Sequence, residues 1–238
     1  MKKKAIIISI KGTILSSNEK KLLSNEYPWG LILFKRNIKS LNQIKLLIKE
    51  VRKITKDKKF PIMIDEEGGA VTRLGKIINN NFNQKIFGDL YQHNNKVGLF
   101  FFKMYIKNLS FFLKKIGVNI NTVPILDVLR KNTSKIIGNR SFSKNPKIVK
   151  KLGIFSVKQY KKNNLITVVK HMPGHGCASL DSHVGMPKVR LNLKHLEKID
   201  FYPFKSNPSK IAMTAHIMYE KIDPKNVATF SKKIISQI

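Results

Sequence analysis

The feature that most constrains this chain is a repeated alternation between short apolar runs and longer amphipathic stretches. Six apolar runs rich in β-branched residues predict strands at 5–10, 30–34, 61–64, 118–124, 167–170 and 211–215. Between them, apolar side chains at helical spacing predict helices at 40–55, 98–116 and 146–163. This alternation is typical of β-α units that wind around a parallel sheet. We therefore expect an α/β fold, built as one domain over residues 1–238.

Polar residues and glycines cluster where several of the predicted strands end. They lie at Lys35 and Arg36, at 65–69, at Asp127, at 170–176 and at His216. In α/β barrels the loops that follow the strands converge at this end of the sheet and carry the chemistry. We therefore expect these side chains to share one rim.

The formal net charge of +32, taken alone, favours an affinity for nucleic acid or for an anionic membrane. Lysine makes up most of the 46 basic residues, and the lysines are spread over every predicted helix rather than gathered in an arginine-rich, aromatic-interleaved patch. We interpret the charge as compositional drift, and we expect salt-dependent adhesion to polyanions without a specific nucleic-acid or membrane partner. A dedicated polyanion-binding protein is the alternative.

The N-terminus and the cysteine content indicate where the protein works. The apolar segment 5–10 is short and is followed by Lys11 and Gly12, which does not fit a secretory signal. No apolar run approaches the roughly 18 to 20 residues that cross a bilayer. Cys177 is the only cysteine, which excludes an internal disulfide and favours a reducing compartment. We expect a cytoplasmic protein.

The densest group of reactive side chains lies in a loop rich in glycine and proline. It contains Lys170, His171, His175, Asp181 and His183. A carboxylate two residues before an imidazole can orient it and strengthen it as a proton shuttle, which favours Asp181 and His183 as a catalytic pair. Solvated loop histidines are one alternative. A zinc site is another, although the intervening proline and glycine disfavour the helix that such ligand spacing normally uses.

Two further segments favour saccharide binding. In the first, a buried strand delivers Asp65 to the rim, where a carboxylate can accept hydrogen bonds from sugar hydroxyls. The alternative for this acidic run is that Glu66 or Glu67 stabilises the N-terminus of the next helix. In the second segment, the guanidinium of Arg140 can donate two parallel hydrogen bonds to a sugar or a carboxylate, and a surface salt bridge is its alternative.

Taken in order, these segments resemble the motif series of the glycoside hydrolase family 3 β-N-acetylhexosaminidases of the peptidoglycan-recycling type. The series consists of GLILFKRN at 30–37, IDEEGGAVTRL at 64–74, VPILDV at 123–128, GNRSFS at 138–143, KHMPGHG at 170–176, DSH at 181–183 and AMTAHI at 212–217. The similarity is collinear from about residue 25 to the last residue of the sequence.

The resemblance implies a TIM-type (β/α)8 barrel that removes terminal N-acetylglucosamine from peptidoglycan fragments with retention of configuration, without a metal or another cofactor. It implies that His183 is the acid/base, assisted by Asp181, so that an imidazole replaces the second carboxylate of a retaining glycosidase. It also implies that five residues hold the saccharide. These are Asp65, Arg73, Arg140, Lys170 and His171.

The resemblance carries one departure. Members of the family continue past the segment similar to 228–238 into a seventh strand that ends in an aspartate pair containing the nucleophile, whereas this sequence stops at Ile238. We therefore expect about six of the eight β-α units, and no feature of the sequence indicates that Asp65 or Asp127 substitutes for the nucleophile. Two hypotheses follow: a β-N-acetylhexosaminidase whose nucleophile is lost or supplied by a separately encoded C-terminal fragment, and a non-catalytic N-acetylglucosamine-binding remnant.

Overall fold

Parallel strands form the centre of the fold in the computed structural model, which describes residues 3–180 and 185–237. The strands of this part of the chain are β1 (Lys4–Ile8), β2 (Pro28–Leu33), β3 (Ile62–Ile64), β4 (Ile120–Asn121), β5 (Ile166–Met172), β6 (Lys188–Val189), β7 (Ile211–Thr214) and β8 (Met218–Tyr219). Six of them pair in the order β1-β2-β3-β4-β5-β7, all parallel. β6 and β8 form a separate parallel pair.

The helices lie between these strands in the chain. Over the described residues they are α1 (Ser17–Asn25), α2 (Leu41–Ile54), α3 (Gln84–His93), α4 (Asn95–Ile116), α5 (Pro146–Lys162), α6 (Leu193–Lys198) and α7 (Lys232–Gln237). The sheet curls as an incomplete TIM-type barrel with helices outside it, which confirms the predicted fold class. Every predicted strand and helix is present, with bounds that differ by a few residues.

Local sequence accounts for where the longer helices begin and end. The Ser40 side chain accepts a hydrogen bond from the Gln43 backbone at the start of α2, a cap whose loss typically costs about 1 kcal/mol. α2 then buries apolar residues every three or four positions, from Ile44 to Val51, against the main core. The residue that follows α4 is its C-cap, Gly117, whose positive φ of 97° suits a residue without a Cβ atom.

The two faces of the sheet are lined by different apolar clusters because side chains alternate along a strand. Ile62, Ile64 and Val169 belong to the main core, which also contains the buried faces of the helices. Met63, Ile120 and Val168 form a smaller cluster on the other face, which lies inside the curl of the barrel. Residues two positions further along these strands therefore continue the inner face towards its carboxyl rim.

The separate pair of β6 and β8 was not predicted from the sequence. Each strand has only two residues, too few to produce an alternating apolar pattern. A second apolar cluster supports this part of the chain, with Val189, Leu196, Phe201 and Tyr219 among its buried members. None of the helices that the structure describes is long and apolar enough to span a bilayer.

Candidate functional site

A cavity of about 340 Å³ opens at the carboxyl rim of the sheet, inside the curl. The five residues predicted to hold a saccharide all line it, together with Glu67, His175, His216 and several apolar side chains. The full lining is Asp65, Glu67, Val71, Arg73, Ile136, Ile137, Arg140, Lys170, His171, His175, Met213, Thr214, Ala215 and His216. Side chains predicted at one rim from 65–69, from 170–176 and at His216 are therefore brought together, whereas Lys35 and Arg36 do not line the cavity.

Lys170 lies at the centre of the buried charges. Its Nζ atom is 2.6 Å from Glu67 Oε1 and 3.2 Å from Asp65 Oδ1, and it donates to Thr122 Oγ1 at 2.8 Å. Thr122 in turn donates to Asp65. These three contacts use all three donors of the ammonium group, so Lys170 fixes two carboxylates relative to each other.

Strand alternation explains why these groups meet. Asp65, Thr122 and Lys170 stand two residues after Met63, Ile120 and Val168, the residues of the inner apolar cluster. The same face of three neighbouring strands thus continues from an apolar layer into a polar one.

Asp65 is held ionised by its neighbours. Burial acts to raise the pKa of its carboxyl group, but the charge of Lys170 and the hydrogen bonds from Thr122 and Arg73 outweigh burial and lower the pKa to about 2. The Arg73 contact joins Nη2 to Asp65 Oδ2 at 3.1 Å. Arg73 Nε is buried and has no hydrogen-bond partner among the residues that the structure describes.

Glu67 is the site residue that the sequence argument missed. Arg140 donates to both of its carboxylate oxygens, from Nε at 2.8 Å and from Nη2 at 2.9 Å. Burial acts to raise the pKa of Glu67, but Lys170 and Arg140 together lower it. The signal that could have found it is its position beside Asp65: a buried acid needs a cation, and Arg140 was already expected among the residues that hold the saccharide.

The alternative in which Glu66 or Glu67 caps the next helix is wrong. That helix, α3, begins only at Gln84, and its N-cap is Asn83. Glu66 instead holds the loop that precedes α3, because its carboxylate accepts hydrogen bonds from two side chains and two backbone amides. The donors are Thr72 Oγ1, Asn80 Nδ2, Arg73 N and Leu74 N, at 2.7 to 3.1 Å. A carboxylate with these four donors is structural in this position.

His171 is oriented by the wholly buried Asp127. Its Nδ1 atom lies 2.7 Å from Asp127 Oδ2, and Asp127 Oδ1 accepts from the backbone amide of His175 at 2.6 Å. Burial acts to raise the pKa of Asp127, but His171 lowers it, so the carboxylate is ionised and fixes the proton of the imidazole on Nδ1. Nε2 is then the ring nitrogen available to the cavity.

His175 packs edge-on against His171, with ring centroids 5.9 Å apart. Burial lowers the pKa of His175, so the ring is neutral at neutral pH. Its Nδ1 atom is buried and finds no hydrogen-bond partner within 3–180 and 185–237.

Two other rim residues have different roles. Exposed His216 lines the cavity, and its Nδ1 lies 2.9 Å from Thr229 Oγ1. Arg36 instead joins the ends of β1 and β2, because it donates to the carbonyl of Ile10 and to the hydroxyl of Ser9, both at 3.1 Å. Asp181 and His183, the predicted catalytic pair, lie outside the described residues. The zinc alternative, whose possible ligands are His171, His175, Asp181 and His183, therefore stays open.

The chain matches the model of the glycosyl hydrolase family 3 N-terminal domain over residues 3–238. It is 33% identical over 248 residues to a β-hexosaminidase of Idiomarina loihiensis, covering 98% of this chain and 69% of that relative. It is 31% identical over 246 residues to β-hexosaminidase A of Pseudoalteromonas piscicida, covering 95% of this chain but only 41% of that relative.

Solved structures give the same relationship. The chain superposes on NagZ from Neisseria gonorrhoeae in complex with N-trifluoroacetyl-D-glucosamine, with a TM-score of 0.90, 28% identity, and coverage of 99% of this chain and 71% of that one. A family 3 β-N-acetylglucosaminidase from Paenibacillus sp. str. FPU-7 gives a TM-score of 0.84, 26% identity, and coverage of 96% and 44%. With a family model that spans almost all of its residues, the chain belongs to glycoside hydrolase family 3.

Proposed function

We propose that this chain acts as a glycoside hydrolase of the β-N-acetylhexosaminidase type, and that its cavity holds the terminal N-acetylglucosamine of a peptidoglycan fragment. The proposal treats residues 1–238 as one barrel domain working in the cytoplasm. The observation that carries it is that Asp65, Arg73, Arg140, Lys170 and His171 line one cavity of about 340 Å³. This volume is within the range of small-molecule pockets, roughly 300 to 1,000 Å³.

The contacts of these residues suggest a division of labour. Asp65 is ionised at neutral pH, and a carboxylate oxygen can accept hydrogen bonds from neighbouring hydroxyls. Arg73 binds Asp65 through one nitrogen and keeps other donors for a ligand. The Nε2 atom of His171 is presented by the Asp127 contact. Lys170 and Arg140 are engaged with Glu67, so their part is to hold the acidic side chains in place.

The proton transfers are assigned to His183 and Asp181. In this proposal His183 protonates the leaving glycosidic oxygen and later removes a proton from the attacking water, with Asp181 orienting its ring. An imidazole suits both steps because its ordinary pKa lies near neutral pH. His175, which packs against His171, is buried and neutral, which makes it a poor substitute for a group that must change its charge twice.

Binding without hydrolysis is the second candidate, and one observation favours it. The retaining reaction needs a carboxylate free to attack the anomeric carbon. Asp65 accepts hydrogen bonds on both oxygens, and Asp127 is fully buried beneath His171, so neither is available. Hydrolysis by the retaining route therefore requires a carboxylate other than Asp65 and Asp127.

Calorimetric titration with N-acetylglucosamine tests the part that both candidates share. We expect binding by the wild-type chain and weaker binding by Asp65→Asn. Asp89→Asn is the matched control, because Asp89 forms only an exposed pair with Lys85 on α3. A flat titration of the wild-type chain, or equal affinities for the two variants, would exclude saccharide binding in this cavity.

Turnover of a chromogenic N-acetylglucosaminide separates the two candidates. The substrate is offered to the chain alone and to the chain mixed with a fragment covering the next two β-α units of a family member. Hydrolysis that depends on His183, shown by its loss in His183→Ala, supports the enzyme. Binding with no turnover in either mixture supports the non-catalytic candidate.

A further inference from the structure

Helix α4 is apolar on two sides. One side, including Phe102, Ile106 and Leu113, is buried in the main core. A second stripe faces outwards, and each of its side chains is between 40% and 64% exposed: Val97, Phe100, Phe101, Met104 and Phe111. Spacings of three, four and seven residues align this stripe along the helix. The outer face of a helix packed on a soluble domain is normally polar, so this stripe needs an explanation.

The stripe continues into a groove beside it. An apolar groove of about 410 Å³ lies between α3, α4 and the segment before α3, and Phe101 and Met104 form part of its wall. Phe82 and Ile86 are on its other side and are exposed as well. The apolar surface therefore extends over two helices and a loop. Contiguous exposed patches of this kind mark interaction sites.

The charge around this surface has one sign. The sequence of α4 contains no acidic residue, and its lysines are Lys96, Lys103, Lys107, Lys114 and Lys115, all exposed. At 100° per residue, the first four fall along one flank of the stripe and Lys115 follows its end. The single acid of α3, Asp89, forms an ion pair with Lys85, so it does not offset these charges. The surface is apolar along its length and cationic along one flank and at one end.

We propose that this surface, the α4 face, binds the surface of an anionic lipid bilayer. We define the α4 face as the exposed stripe of α4 together with these five lysines. The phenyl and thioether groups enter the boundary between headgroups and acyl chains, while the lysines contact lipid phosphates. Binding is peripheral, and the helix lies in the plane of the membrane.

Charge decides between this partner and a second copy of the chain. A second copy would bring the same lysines to the contact, and the chain as a whole carries +32, so self-association through this face is repelled. An anionic bilayer complements both parts of the α4 face, because its phosphates attract the lysines and its acyl chains accept the apolar stripe. The expectation of no membrane partner rests on lysines spread along the chain, whereas in the structure those of α4 lie along one flank of a stripe of exposed phenyl rings.

Vesicle flotation of the full chain tests the proposal. We expect the chain to float with vesicles of phosphatidylcholine and phosphatidylglycerol, but not with phosphatidylcholine alone, and to be released by salt. Replacing Phe100 and Phe111 together by serine should reduce the bound fraction, as should Lys103→Glu with Lys107→Glu. We expect a loss of about tenfold or more in apparent affinity for each pair. All four side chains are exposed, so we expect the variants to keep the fold, and circular dichroism checks this.

Matched controls separate the effect of the α4 face from the effects of net charge and of exposed apolar side chains elsewhere. Lys194→Glu with Lys198→Glu makes the same charge change at the same spacing on α6, and Phe230→Ser removes an exposed phenyl ring elsewhere. These controls should bind vesicles as the wild-type chain does. Equal losses from the α6 and α4 lysine pairs would overturn the proposal, because net charge alone would then explain binding. An absence of vesicle binding would also overturn it, and a dimer that the two phenylalanine substitutions dissociate would then assign the α4 face to self-association.

Discussion

Arg140 donates to both carboxylate oxygens of Glu67, and both side chains are almost completely buried. Lys170 adds a third donor to the same carboxylate, at 2.6 Å. Glu67 therefore contacts two buried cations that lie close to each other, and its negative charge reduces the repulsion between them. The consequence is a strong dependence of the site on Glu67, which itself need not touch a ligand.

Glu67→Gln should destabilise the chain by about 3 kcal/mol, because it removes the acidic partner of buried Arg140 and leaves Lys170 with Asp65 as its remaining carboxylate. Urea unfolding followed by circular dichroism measures the change. Glu197→Gln removes the acid of an exposed pair with Lys205 and should cost under about 1 kcal/mol. Similar losses for the two variants would mean that the buried cluster is solvated.

Stability should fall in acid, and the sign follows from Asp65. Its pKa is lowered on folding from the usual value of 3.8 to about 2, so the folded chain binds this proton less tightly than the unfolded chain. The contribution, about 2 kcal/mol, is therefore complete above pH 4 and disappears as the pH falls towards 2. Asp65→Asn should flatten this part of the curve of unfolding free energy against pH. An unchanged slope would contradict the assignment.

Asp127→Asn should change the tautomer of His171. An amide can still accept from the backbone through its oxygen, but its NH2 group then faces Nδ1 and favours an imidazole protonated on Nε2. Nitrogen NMR of the histidine rings should detect the exchange, and N-acetylglucosamine should bind about tenfold more weakly. Retention of the Nδ1 proton in the variant would argue against the Asp127 contact.

Gly68→Ala should destabilise the loop after β3. Gly68 has φ of 88°, and a Cβ atom would lie 2.1 Å from the Phe82 carbonyl oxygen, so the backbone would have to move. We expect a loss of about 2 kcal/mol or more in thermal or urea unfolding. Gly12→Ala is the control, because a Cβ atom there meets nothing within 4 Å and its effect should be small.

The sequence predicts most of the fold because each main strand is a short run of apolar residues, whereas the helices carry apolar residues at helical spacing. It also predicts the meeting of Asp65 and Lys170, since the ends of parallel strands share a rim, whereas Arg140 was expected in the site only from the family resemblance. Glu67 was missed because an acid next to another acid looks like a helix cap until the distance to α3 is known. The two-residue strands β6 and β8 lie below the length at which a pattern can be detected.

The apolar layer of Met63, Ile120 and Val168 underlies the charges of the cavity. This layer prevents mobile ions from approaching the carboxylates and cations of the cavity through the interior of the barrel. Debye screening should therefore weaken the ion pairs of Lys170 with Glu67 and Asp65 much less than it weakens the contacts of lysines on the outer helices. A loss of stability from Glu67→Gln that stays constant over a range of ionic strengths, in the same buffers that release the chain from lipid, would be the signature of this difference.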